Sequence, residues 1–213
     1  LAVLALCSNV QAASPAPVGA KNGMVVTAQH LATRVGVDIL KQGGNAVDAA
    51  VAVGYALGVV YPAAGSLGGG GFMTLQLADG RRTFIDFRER APLAATADMY
   101  LDRDGNVVRG LSTKGYLAAG VPGNVAGFEL ALAKYGTMKR GAVYASANHL
   151  ALRRFELSQP DVRLFDVATA DFRADPPSAA IFLDRGEPLK AGQRLVQKDL
   201  ARTLQRIARD GAN

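Results

Sequence analysis

The sequence has one cysteine, Cys7, no tryptophan, and two histidines, His30 and His149. A single thiol makes no disulfide within the chain, and one thiol with two imidazoles offers no multi-ligand site, so neither a metal nor a cofactor is expected. Aromatic residues are 7% of the 213, and none interleave with a basic stripe. The net charge of +6 therefore does not read as a nucleic-acid footprint. No apolar run approaches the roughly 18 residues that a membrane-spanning helix needs. Glycines number 24 against nine prolines, with no triplet repeat, which excludes a collagen. What remains is 49% apolar and rich in small residues. That is enough for one packed core with closely approaching helices.

The charge is unevenly placed. Lys139, Arg140, Arg153 and Arg154 stand in a stretch without a single acidic residue. At the other end, Leu1–Cys7 is apolar and is followed by small residues around Ala12 and Ala13. Residues 1–13 are expected to be the remnant of a secretory signal peptide, with a frayed apolar terminus as the bland alternative. Leu6 is too large for the residue preceding a lipidated cysteine. A periplasmic or secreted location follows from this reading, with no stable membrane span.

Helical spacing of Ala28, Leu31, Ala32, Val35 and Ile39 predicts a helix over 28–41 with Thr27 as its N-cap. After Gly43-Gly44, Asn45 caps a second helix running to Val60, with Asp48 at the capping-box position. That helix is apolar all round, so it belongs in the interior. Asp48, its one charge, is either a cap ligand or a site residue, and the cap reading suits the position. Pro62 ends the segment. Four consecutive glycines, Gly68–Gly71, then let a backbone pass close to another backbone or a ligand. They form neither a phosphate loop nor a nucleophile elbow. Alternation over Phe72–Leu77 and Thr83–Phe87 around Asp79-Gly80 predicts a hairpin that delivers Arg88-Glu89-Arg90. Arg88 is placed to grip a carboxylate with its planar fork, although spacing alone favours a merely solvated Arg-Glu-Arg cluster. Further helices are predicted from Asn124 through Tyr135, with Gly136 as stop, and over Ala201–Asp210. The residues by themselves supply no catalytic set.

Gly43-Gly44-Asn45-Ala46-Val47-Asp48-Ala49-Ala50 resembles the hallmark of the gamma-glutamyltranspeptidase family. The glycine run to Phe72, Asp86-Phe87-Arg88-Glu89, Gly120-Val121-Pro122-Gly123 and Lys134-Tyr135-Gly136-Thr137-Met138 follow in the family's order. The resemblance covers about residues 20–138 and returns near Phe155 and from Ala180 onward. It implies an α+β N-terminal-nucleophile hydrolase with a four-layer αββα sandwich, of which residues 20–213 would be an incomplete part from the large subunit. It implies a zymogen that cleaves itself into two subunits and acts as a gamma-glutamyltransferase and glutathione hydrolase. Its substrates would be glutathione or other gamma-glutamyl compounds, with amino acid or peptide acceptors and the small subunit of the same precursor as partner. Arg88 aligns with the arginine that binds the substrate α-carboxylate, which reverses the solvated-cluster reading. No threonine here, Thr137 included, sits in the nucleophile motif, so the nucleophile is expected beyond Asn213. Related readings are a cephalosporin-acylase-like amidase, a capsule polyglutamate transpeptidase, or an inert fragment. Residues 139–154 depart from the family pattern and are expected to be an aberrant, loosely packed segment, which weakens His149 as a candidate.

Overall fold

The computed structural model describes residues 16–153 and 155–212. The stretch read as a signal remnant lies outside them. The chain is α+β, and among the described residues its strands form three two-stranded antiparallel pairs. Helix α1 (His30–Lys41) and α2 (Ala46–Val60) lead into the hairpin of β1 (Phe72–Gln76) and β2 (Arg82–Asp86). Helices α3 (Asn124–Tyr135) and α4 (Arg140–Arg153) follow a long irregular stretch. Then come β3 (Phe155–Glu156), α5 (Gln159–Asp166), α6 (Thr169–Ala174), α7 (Pro176–Phe182), β4 (Leu183–Asp184), β5 (Glu187–Pro188), β6 (Arg194–Leu195) and α8 (Lys198–Asp210). Strands β3 and β6 pair, as do β4 and β5.

Helix α2 is the centre. Val51, Ala52, Tyr55, Ala56 and Val59 have no exposed surface, because α1, α3 and α4 all pack on it. This agrees with an all-apolar helix seeking the interior. Helix α8 reaches the same core through α4 and through Gln197, whose buried side chain donates to the Val59 carbonyl at 2.7 Å. Helix α1 begins at His30 and not at Ala28. Its cap is Gln29, whose Oε1 accepts from Leu31 N at 2.6 Å, while the Thr27 hydroxyl braces Gln29 from outside by accepting from its N–H at 3.2 Å.

Two contacts organise the chain around α2. The first joins its N-terminus to the end of α3. Asn45 Oδ1 accepts from the N–H groups of Val47 and Asp48, and Asp48 Oδ2 returns the bond to Asn45 N at 2.9 Å. Asp48, with no exposed surface, also accepts from Thr137 N, from the Thr137 hydroxyl at 2.7 Å and from Met138 N at 3.1 Å. Asn45 Nδ2 donates to the Tyr135 carbonyl at 2.7 Å. Burial works against the Asp48 charge, but the bonds from Thr137, Asn45 and Met138 outweigh it and hold the carboxyl below its usual range. Asp48 is thus a latch, which settles its role as structural.

The second contact clamps Phe87, the residue after β2. Its N–H donates to the Gly71 carbonyl at 3.0 Å. A Cβ on Gly123 would fall 1.8 Å from the Phe87 carbonyl oxygen, and one on Gly127 would fall 2.2 Å from Cγ of its ring. Only glycine permits that approach. The ring then meets Phe128 edge-on, with centroids 5.6 Å apart.

Residues 139–154, expected to be an aberrant segment, form helix α4 over most of their length. Val143, Tyr144, Ala147 and Ala151 of α4 are buried. The Tyr144 hydroxyl lies 2.8 Å from Glu129 Oε1 of α3 and also bonds the Tyr55 hydroxyl of α2. Arg140 pairs with Glu129 at 2.5 Å. Small apolar residues at helical spacing fill a slot between α2 and α8 whatever their neighbours in sequence. The segment's poor local consistency survives in one place, since Asn148 Oδ1 is buried without a partner among the described residues.

Asp48→Asn is expected to lower the unfolding free energy by about 3 kcal/mol, from the lost charge-assisted bonds. Because the folded carboxyl titrates below its ordinary value near 3.8, its stabilisation is complete above that value. It is lost as pH falls through the lower folded value. Denaturant melts across the acid range should therefore show a steeper loss in the native chain than in Asp48→Asn, and parallel losses would exclude the latch as the acid-sensitive element. Gly123→Ala should cost about 3 kcal/mol through overpacking, whereas Gly141→Ala in α4, where a Cβ meets nothing within 4 Å, should add about 0.5 kcal/mol. Urea titration of both variants checks the pair; a neutral Gly123→Ala would refute the clamp.

Candidate functional site

The clamp determines where Arg88 goes. Strand alternation buries Ile85 and turns Phe84 and Asp86 outward. Phe87 then points into the glycines and Arg88 out to solvent, in the phase of the outward residues. The neighbouring backbone is pinned on both sides. Arg90 and Val121 exchange N–H···O bonds of 3.1 and 2.8 Å, and the Gly69 carbonyl accepts from Gly123 N and Asn124 N at 3.0 Å each. The Asn124 side-chain amide also donates to the Ser66 carbonyl. A Cβ on Gly70 would lie 2.6 Å from both Glu89 N and the Phe87 oxygen. The glycine run therefore serves the close approach of its own backbone to the 87–89 segment.

Beside this crossing lies an open groove of ≈ 460 Å³, lined by residues 85–90, 121–123, 126, 127 and 130. Arg88 is the side chain of interest in it. Asp86, the nearest carboxylate in sequence, directs Oδ1 to the Arg88 backbone N–H at 3.0 Å. The guanidinium forms no ion pair among the described residues, and neither do Glu89 and Arg90. Arg88, Glu89 and Arg90 are all exposed, and none of the three pairs with another. Arg88 Cζ lies over the Phe72 ring, 5.9 Å from its centroid. Such a guanidinium keeps its in-plane N–H groups free, which suits bidentate capture of a carboxylate.

Other candidates stand elsewhere. The Thr137 hydroxyl donates to Asp48. It is committed to the latch, where the Asp48 carboxylate is also held by the N–H groups of Asn45, Thr137 and Met138. His149 is exposed on α4, in a separate groove with Arg34 and Asp38 of α1. No helix among the described residues is long and apolar enough to cross a membrane. Phe72 had no signal in sequence as a neighbour of Arg88, because its place depends on the hairpin register, which sets Phe72 opposite Asp86.

The same architecture occurs in known proteins. A family model described as gamma-glutamyltranspeptidase matches residues 32–213. A glutathione hydrolase proenzyme of Pseudomonas sp. (strain A14) is 64% identical over 206 residues, covering 96% of this chain and 36% of that protein. A glutathione hydrolase proenzyme of Escherichia coli (strain K12) is 53% identical over 198 residues, covering 92% of this chain and 34% of that protein. The crystal structure of Helicobacter pylori gamma-glutamyltranspeptidase superposes with a TM-score of 0.88 at 46% identity, over 91% of this chain and 56% of that one. The chain spans about a third of the length of these two curated relatives. The match extends from α1 to the end of the chain and takes in the latch, the glycine crossing and Arg88, so the chain belongs to the gamma-glutamyltranspeptidase family.

Proposed function

We propose that this chain is the N-terminal portion of the large subunit of a gamma-glutamyltransferase and glutathione hydrolase, and that it supplies the grip on the substrate's α-carboxylate. The observation that carries the reading is Arg88, exposed and free of ion pairs among the described residues, on a backbone clamped by glycines beside an open groove. An arginine held in place by its backbone, with no ion pair among the described residues, binds an incoming carboxylate at little ordering cost.

In this reading the rest of the precursor brings the nucleophile. Self-cleavage would expose an N-terminal threonine, whose hydroxyl attacks the gamma-amide carbon while its own amine takes the proton and then gives it to the departing amine as the amide C–N bond breaks. The gamma-glutamyl ester would then pass to water or to an amino acid or peptide acceptor. Arg88 takes no part in the bond changes. It holds the α-carboxylate so that the gamma-carbonyl reaches the nucleophile, a positioning effect on a bimolecular encounter. The hairpin would be completed into the inner layers of an αββα sandwich. In support, Phe72 and Phe84 are 54% and 57% exposed on its outward face, too much apolar surface for a finished sheet. A periplasmic or secreted location accords with the apolar run Leu1–Cys7 of the sequence.

Arg88→Lys in the matured two-subunit enzyme should raise KM for a gamma-glutamyl anilide about 10- to 100-fold through loss of the bidentate bond. Self-cleavage should be spared, since it involves no substrate carboxylate. An unchanged KM with failed processing would make Arg88 structural. The 213-residue chain alone should show no turnover of the same anilide, because in this reading the threonine nucleophile and its oxyanion donors belong to the rest of the precursor. Robust hydrolysis blocked by a threonine-directed inactivator would contradict that expectation.

A further inference from the structure

The outward face of the hairpin contains more than Arg88. Strand pairing sets Phe72 opposite Asp86 and Thr74 opposite Phe84. The rings of Phe72 and Phe84 stack across the hairpin with centroids 5.6 Å apart and planes at 21°. Arg88 lies one outward step past Asp86, and its guanidinium comes over the free end of this stack, on the Phe72 ring. Besides any packing these rings contribute to a completed sheet, the Phe72 ring faces the guanidinium. Asp86 sits on the same face and would be the natural partner of the guanidinium. Its carboxylate instead caps the Arg88 backbone N–H, and this turns a competing charge into a backbone anchor.

We propose that Phe72 is a positioning residue for Arg88: its ring supports the guanidinium from one face and holds it ready for a carboxylate. The inference rests on the reading of Arg88 as the carboxylate grip. The physical case is a division of surfaces. Cation–π attraction uses the face of the guanidinium, while bidentate hydrogen bonding uses its edge. The two do not compete, and a ring-supported arginine has surrendered part of its rotamer freedom before the substrate arrives. Phe84 supports Phe72 in turn, so the aromatic pair forms a shelf of fixed height under Arg88. A leucine at position 72 would fill comparable volume but offers no π face.

Two measurements test this. In the 213-residue chain, NMR should show the Arg88 side-chain protons displaced upfield by the Phe72 ring current. The displacement should vanish in Phe72→Leu and persist in Phe72→Tyr; Arg88 resonances indifferent to both changes would overturn the geometry. In the matured enzyme, Phe72→Leu should raise KM for a gamma-glutamyl substrate about two- to fivefold, the yield of a partly exposed cation–π contact, with kcat held. Phe72→Tyr should restore the low KM, and a substrate lacking the α-carboxylate should not distinguish the variants. In an Arg88→Lys background the effect of Phe72→Leu should shrink. If Arg88→Lys raises KM and Phe72→Leu does not, the positioning role fails while the carboxylate reading stands. If Arg88→Lys itself leaves KM unchanged, both fail.

Discussion

The contact on which the site depends is the passage of the Phe87 backbone between glycines of two other segments. At Gly123 there is no room for a methyl group, and at Gly127 the ring of Phe87 occupies the place a side chain would take. A backbone that close to its neighbours has one available position. Alternation along β2 then does the rest, sending Phe87 inward against Phe128 and Arg88 outward. The precision of an arginine two residues past the end of a short strand would otherwise be poor. Here it derives from a steric condition, and the glycine run at 68–71 forms the other wall of the same crossing.

The crossing is held in turn by the Asn45–Asp48 latch. Gly123 and Gly127 lie at and near the start of α3, and the latch fastens the far end of α3 to the start of α2. A buried carboxylate is costly unless every acceptor position is used, and Asp48 receives donors from Asn45, Thr137 and Met138. The Tyr55, Tyr144 and Glu129 contacts tie α4 to the same two helices. Burial, foremost, raises both tyrosine pKa values well above the ordinary phenol range.

Much of this was legible in the sequence because it is local. The Asn45/Asp48 capping box, the apolar α2, the hairpin and the stop at Gly136 are written in spacings of a few residues. The start of α1 was misread because Gln29 is an infrequent cap, and the more common Thr27 stands two residues earlier. Residues 139–154 were expected to pack loosely, since their charge pattern is unbalanced and their family likeness breaks. Their helical spacing allows order all the same, and Val143, Tyr144, Ala147 and Ala151 are buried in the slot beside α2 and α8, with Tyr144 also bonded to Tyr55 and Glu129. For Arg88, spacing favoured a solvated cluster and the family resemblance favoured a carboxylate grip. The structure adds that Asp86 accepts from the Arg88 backbone N–H and does not pair with the guanidinium, which is compatible with the grip proposed above. Phe72 as the neighbour of Arg88 needed the hairpin register as well.

The central claim is that a clamped backbone presents Arg88 to a substrate carboxylate. The most direct test is a crystal structure of the matured enzyme with a gamma-glutamyl compound that is bound but not cleaved. The account predicts the α-carboxylate paired edge-on with the Arg88 guanidinium, which still rests on Phe72, and the Phe87 crossing unchanged from its position here. A carboxylate held by other residues, with Arg88 in solvent or paired to a protein acid, would contradict it.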